Sequence, residues 1–297
     1  MLTRRRFSLA LAAGLPAAPL AALSPVARAA PRGLAGIASD LARIERECGG
    51  RLGAAVIDTA TGTSAGHRAG ERFPLCSTFK LLAAAAVLKR VDDGAERLDR
   101  VVRFSTGDLV TYSPVAQARV EAGMTLAEIC EAAMTLSDNT AGNLLLAAIG
   151  GPAGLTAYVR SLGDGVTRLD RIETALNEAR PGDPRDTTTP AAMAADLRRL
   201  VLEDALSPRS RDLLAQWLVG NRTGATRLRA GVPAGWRVGD KTGAGANGTA
   251  NDVGVIWPPG RAPVLVAVYI TGSRGTDAQR HAAIAAVARA TAQSLAG

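Results

Sequence analysis

The chain is poor in the residues that most often build metal and redox sites: its 297 residues include only three cysteines, Cys48, Cys76 and Cys130, and two histidines, His67 and His281. A zinc site needs three or four such ligands at short spacings, and these five are scattered, so a metalloenzyme is set aside. A serine–histidine–aspartate triad is disfavoured too, since neither histidine lies near a nucleophile motif. The odd cysteine count implies at least one free thiol in an exported protein. Lysine is equally scarce, with Lys80, Lys89 and Lys241 the only lysines among 35 basic residues. Arginine therefore serves wherever a generic positive charge will do, and the lysines stand out because only lysine readily loses its proton in a site. Beyond the N-terminal arginines, the positive surplus within the net charge of +8 is spread along the chain and not gathered into a basic run, which argues against a nucleic-acid partner. Internal repeats are absent, and the 47% hydrophobic content suits a globular chain with a large core.

At the N-terminus, Thr3-Arg4-Arg5-Arg6-Phe7-Ser8-Leu9 precedes an apolar Ala/Leu run that ends at a small-x-small site, Ala27-Arg28-Ala29. Residues 1–29 read as a twin-arginine export signal, with release to the periplasm or medium after crossing the membrane folded. Gly14, Pro16 and Pro19 interrupt the run, which is too short for a stable membrane anchor. Loss of Arg4, Arg5, Arg6 and Arg28 takes four charges from the +8, leaving about +4 on the remainder. That surplus favours anionic small molecules.

Periodicity predicts a helix capped by Ser39-Asp40 and closed at Gly49-Gly50, then a hairpin from Leu52 toward His67. Helices follow at about 77–90, 125–134, 138–149, 151–162, 189–203 and 207–220. Strands return at about 236–243, 249–257 and 263–272, ahead of a helix from about Asp277 to Leu295. This predicts an α/β protein of two lobes: an antiparallel sheet built from both termini with flanking helices, plus an all-helical lobe. The lobes would comprise 30–75 with 219–297, and 76–218, with a ligand groove between them.

Ser77-Thr78-Phe79-Lys80 is a Ser-x-x-Lys at a predicted helix start, where residues three apart share a face and the helix N-terminus favours negative charge. An amine beside the hydroxyl activates a serine without histidine. Lys241-Thr242-Gly243 ends a predicted strand and offers a cation, a hydroxyl and a close backbone approach to a small anion. Between them Ser137-Asp138-Asn139 links two helices, where a hydroxyl and an amide can face a groove. Each tripeptide alone has an ordinary reading as cap, turn or strand end.

In this order and at these separations the three motifs resemble the class A serine β-lactamases and the penicillin-binding proteins. The resemblance covers nearly the whole chain after the signal, with further matches at 108–114, Asn221-Arg222-Thr223-Gly224, Arg229-Ala230-Gly231 and 248–252. It implies the two-lobed serine β-lactamase fold, and an enzyme that opens the β-lactam ring through an acyl-enzyme, giving antibiotic resistance. Class A membership rests on Arg171-Ile172-Glu173-Thr174-Ala175-Leu176-Asn177 and Asp183–Pro190. Hydrolysis of an acyl-enzyme needs a base holding a water, and Glu173 with Asn177 fits. Transpeptidases, carboxypeptidases and penicillin sensors of the same fold stay acylated, and the sensors are normally tethered by a membrane span.

Carried over by resemblance, Ser77 is the nucleophile, with the backbone N–H groups of Ser77 and Ala244 as oxyanion hole. Lys80, or Glu173 through water, is the acylation base. Ser137, linked to Lys241, protonates the leaving nitrogen. Asn139 holds the substrate side-chain amide, Tyr112 lines the rim, and Lys241, Thr242 and Arg227 bind the carboxylate. The ion pair Arg171–Asp186 closes the neck of the loop. No cofactor or metal is needed, and the expected form is a monomer acting on a small-molecule β-lactam. Three departures carry expectations. Thr174 replaces the usual proline, and a cis Glu173–Thr174 bond is expected. Ala250 replaces an arginine of many relatives, so Arg227 is expected to supply the guanidinium. Cys130 and Cys76 face Ala84 and Gly245 where some members have cysteine, so neither bridge is expected, and Gly245 argues against the carbapenem-hydrolysing subgroup that has the second bridge.

Overall fold

A computed structural model describes residues 33–295; the export signal read at 1–29 lies outside them. The N-terminal strands β1 (Arg51–Asp58) and β2 (Ser64–His67) pair as a hairpin. Three C-terminal strands, β7 (Arg237–Gly245), β8 (Thr249–Trp257) and β9 (Val264–Thr271), complete an antiparallel sheet of order β2-β1-β9-β8-β7. The strand β9 joins the two ends of the chain, running Arg51↔Thr271 to Asp58↔Val264 against β1. Its side chains alternate between two buried faces, as the two-residue strand period requires. Val264, Val266, Val268 and Ile270 pack with α1 (Ile37–Cys48) and α9 (Asp277–Leu295), while Leu265, Ala267 and Tyr269 join the helices on the other side. A strand covered on both faces reads as the continuous apolar run VLVAVYI.

The second apolar cluster is centred on α2 (Phe79–Asp92), which is buried at every position from Phe79 to Leu88. The Ala-rich sequence makes this possible, because small side chains let neighbours approach from all sides. Around it lie α3 (Leu126–Thr135), α4 (Asn139–Ala148), α5 (Gly151–Ser161), α6 (Pro190–Val201) and α7 (Pro208–Val219). Thr125, Asp138, Thr189 and Ser207 cap four of these through side-chain bonds to backbone N–H groups.

The two-lobed layout is as expected, with differences in detail. Ser39-Asp40 does not cap the first helix: α1 begins at Ile37 behind a 3-10 turn, and Ser39 Oγ donates back to Gly36 O. Two short pairings went unforeseen, β3 (Phe73–Pro74) with β6 (Thr187–Thr188) and β4 (Val101–Val102) with β5 (Met124–Thr125), because two residues carry no readable period. The one-turn α8 (Leu228–Gly231) was also unforeseen. All three cysteines are buried and free.

One buried carboxyl pair bears on stability. Asp196 on α6 is fully buried beside Asp164, and among the described residues no N–H or hydroxyl donor reaches either of its carboxyl oxygens or Asp164 Oδ2. Burial, reinforced by the charge of Asp164, pushes Asp196 up to about 9. The folded chain then holds a proton that the unfolded chain releases near 3.8, so stability falls as pH rises between those values and levels off above them. Asp196→Asn is expected to melt higher than the parent at pH 8, with the gain shrinking toward pH 4 to 5. Thermal melts across that range check it, and a pH-independent difference would refute it.

Candidate active site

A groove of about 230 Å³ opens where the sheet edge β7 meets the helices, lined by Ser77, Tyr112, Ser137, Asn139, Asn177, Thr223, Arg227, Thr242, Gly243 and Ala244. Eight of these are residues singled out by sequence, Thr223 belongs to a matched segment, and Gly243 completes the strand motif. The nucleophile candidate sits not on a regular helix but on a 3-10 turn, Cys76–Thr78, feeding α2. Such turns are common at helix starts. Cys76 has φ 44°, a left-handed value that β-carbon-bearing residues seldom adopt. Ser137 (φ 59°) and Tyr112 (φ 64°) share the feature, so three groove segments hold unfavourable backbone conformations.

Lys80 Nζ lies one helical turn from Ser77 and 2.9 Å from its Oγ. It also donates to Ser137 O at 2.9 Å and Asn139 Oδ1 at 2.6 Å, and stands 2.9 Å from Glu173 Oε1. The Lys80 and Glu173 side chains are both fully buried. Burial is the main influence on the ammonium and lowers its proton affinity, while the Glu173 charge opposes it. Ser77 Oγ donates to Glu173 Oε1 at 3.2 Å, and Glu173 Oε2 accepts from Asn177 Nδ2 at 2.5 Å. The carboxylate thus stands between the serine and the amide that sequence paired with it.

At the far end of the groove Lys241 Nζ donates to Ser137 Oγ and to Thr242 O, both at 2.9 Å. Burial, then repulsion from Lys80, drives Lys241 well below the usual lysine range. Accepting from Lys241 leaves the Ser137 proton free to be donated elsewhere. Arg227 is buried, not a surface arginine, and its Nη1 donates to Gly243 O at 2.8 Å and Asn251 O at 2.6 Å. Its Nε has no protein partner among the described residues. Tyr112 is 56% exposed at the rim, consistent with a contact surface rather than core.

Glu173 rides on a loop that closes on itself. Arg171 Nε pairs with Asp186 Oδ2 at 2.6 Å, and Asp186 Oδ1 accepts from the N–H groups of Asp170 and Arg171 at 2.8 and 2.9 Å. The Glu173–Thr174 peptide is cis, as anticipated. Leu176 is buried, and Ala246 N–H donates to Asn177 O at 2.9 Å, fastening the loop to the β7–β8 hairpin.

Sequence reading missed residues that hold these groups. Asn143 donates to Glu173 O at 3.0 Å and accepts Glu173 N–H at 2.8 Å. Its position four after Asn139 on α4, hence on the same face, was the available signal. Asp138 caps α4 through Ala141 N–H and accepts the N–H groups of Val115 and Ala116, so the middle residue of the Ser137 motif organises the Tyr112 segment. A β-carbon on Gly142 would come within 2.7 Å of Lys80 Cε, so glycine lets α4 lie against that side chain without displacing it.

A family model described as the beta-lactamase enzyme family matches residues 36–295. Beta-lactamase AST-1 of Nocardia asteroides is 54% identical over 254 residues, covering 86% of this chain and 82% of that protein. The carbapenem-hydrolyzing beta-lactamase KPC of Klebsiella oxytoca is 48% identical, covering 87% and 89%. Among solved structures, an ancestral (GNCA) class A beta-lactamase superposes with TM-score 0.85 at 64% identity, over 86% of this chain and 98% of that one.

Removal of the buried Asp186 carboxylate leaves Arg171 with Glu178 as its remaining ion-pair partner and strands two backbone N–H groups. Asp186→Ala is expected to cost on the order of 3 kcal/mol and to open the loop to trypsin after Arg171 and Arg185. Denaturant melts and timed digests check this; an uncut loop of unchanged stability would refute it.

Proposed function

The chain belongs to the class A serine β-lactamases, and from that membership together with the groove geometry we propose how its residues divide the work. The reaction is hydrolysis of the β-lactam ring of penicillin- and cephalosporin-type antibiotics through a serine acyl-enzyme, and it gives antibiotic resistance. Ser77 Oγ attacks the lactam carbonyl. Lys80, and Glu173 through a water, are the two groups proposed to take its proton; the Lys80 contact with Ser77 Oγ supports the first route and the nearness of the Glu173 carboxylate to the same oxygen keeps the second open. The N–H groups of Ser77 and Ala244 receive the developing oxyanion. Ser137 passes a proton to the ring nitrogen as it leaves, a reading supported by the Lys241 bond that keeps its own proton available.

Asn139 and Tyr112 contact the substrate side chain, while Lys241, Thr242 and Arg227 bind its carboxylate. The burial of Arg227 beside Gly243, in a chain with Ala250 across the strand pair, favours it as the replacement guanidinium. Deacylation belongs to Glu173, with Asn177 helping to hold the water. The single observation that carries the reading is the closed contact set of Ser77, Lys80 and Glu173, which supports a base acting on both the nucleophile and the ester formed from it.

Residues 1–29 act as a twin-arginine signal, and the enzyme works as a monomer in the periplasm or medium. Among the described residues no single helix is long and apolar enough to cross a membrane. We take the sequence bounds 30–75 with 219–297 for the α/β lobe and 76–218 for the helical lobe, although among the described residues one apolar cluster runs from the inner sheet face into the helices.

Purified protein is expected to hydrolyse a chromogenic cephalosporin continuously. Glu173→Gln should still acylate but lose deacylation by roughly 10²- to 10⁴-fold, so that benzylpenicillin adds its mass to the protein and stays. A parent enzyme that itself traps the drug would overturn the assignment. Arg227→Ala should raise KM for penicillins several-fold, and unchanged kcat and KM would remove Arg227 from the site.

A further inference from the structure

Thr223 lines the groove with Thr242 and Arg227, yet the mechanism above leaves it without a role. Its Oγ1 lies 2.5 Å from Thr242 Oγ1 and 2.8 Å from Asn221 Oδ1. Each hydroxyl has one proton, and an amide oxygen can only accept. The Thr223 proton therefore goes to Asn221 Oδ1, and the Thr242 proton goes to Thr223 Oγ1. Donation runs from Thr242 through Thr223 to Asn221, which aims the Thr242 proton at its neighbour and not at a ligand.

A carboxylate only accepts, so Thr242 must turn its proton to bind one. Its oxygen then needs a donor, and Thr223 can supply it by swinging its proton from Asn221 to Thr242. Asn221 tolerates the loss, because its Oδ1 also accepts Thr223 N–H at 3.0 Å and its Nδ2 donates to Asp240 Oδ2 at 2.6 Å. We propose that Thr223 is a positioning residue for the substrate carboxylate, reversing the direction of this hydroxyl chain so that Thr242 donates to the substrate while accepting from Thr223. Successive hydroxyl donors polarise one another, which strengthens the outermost bond. The proposal rests on Thr242 contacting the carboxylate.

The test is steady-state kinetics of Thr223→Val, Thr223→Ser, Thr242→Val and the double valine variant. The substrates are benzylpenicillin and its carboxamide analogue, and thermal melts confirm folding. Thr223→Val is expected to raise KM for benzylpenicillin by about five- to tenfold with kcat within about twofold, and Thr223→Ser to restore it. The double variant should be no worse than Thr242→Val alone, since the two hydroxyls act as one unit. The carboxamide should be indifferent to Thr223→Val. Unchanged KM, additive effects in the double variant, or equal effects on both substrates would overturn the proposal. Thr242→Val with unchanged KM would instead strike the carboxylate assignment beneath it, so the two failures are distinguishable.

Discussion

The structure turns on an ammonium group sealed from water. Lys80 is fully buried, and an unpaired charge in that position would be prohibitively costly, so its surroundings must supply oxygens in place of hydration. Four do so, each from a different segment: Ser77 Oγ from the 3-10 turn, Ser137 O from the link before α4, Asn139 Oδ1 from α4 itself and Glu173 Oε1 from the loop. An ammonium has three protons, so the four neighbours compete for them. That competition, together with the desolvation that makes Lys80 easier to deprotonate, turns a structural charge into a candidate base.

Lys241 repeats the arrangement at the other end of the groove with a different outcome. It has Ser137 Oγ and Thr242 O for partners, and it feels Lys80 as a like charge. Ser137 lies between the two lysines, giving its carbonyl to one and its hydroxyl to the other. Its backbone holds a left-handed φ of 59°. Asp138 then stabilises the unusual turn by capping α4 and tying down Val115 and Ala116, so the segment that carries Tyr112 is set by the same tripeptide.

The loop bearing Glu173 has little regular structure of its own and depends on polar contacts for its shape. Asp186 closes its neck, Asn143 grips the Glu173 backbone from α4, and Ala246 anchors Asn177 from the hairpin. The carboxylate is thereby referenced to both lobes, which suits the role proposed for it toward an ester on Ser77. Loop sequences rarely announce such contacts, because polar residues there also occur for solubility alone.

Sequence alone determined the continuous apolar run that makes a strand such as β9, the Ala-rich run of α2 and three motifs, two of which carry rare lysines that mark them as more than surface charge. It also carried the pairing of Glu173 with Asn177, four residues apart on one loop, and, through the family resemblance, that of Arg171 with Asp186. Only the tertiary structure decided that Asn143 holds Glu173, that Gly142 makes room for Lys80, that Arg227 is buried at the groove and that Thr223 meets Thr242. Each of these joins elements far apart in the chain, and a period of 2 or 3.6 residues reports which face a side chain occupies but not which neighbour that face will meet.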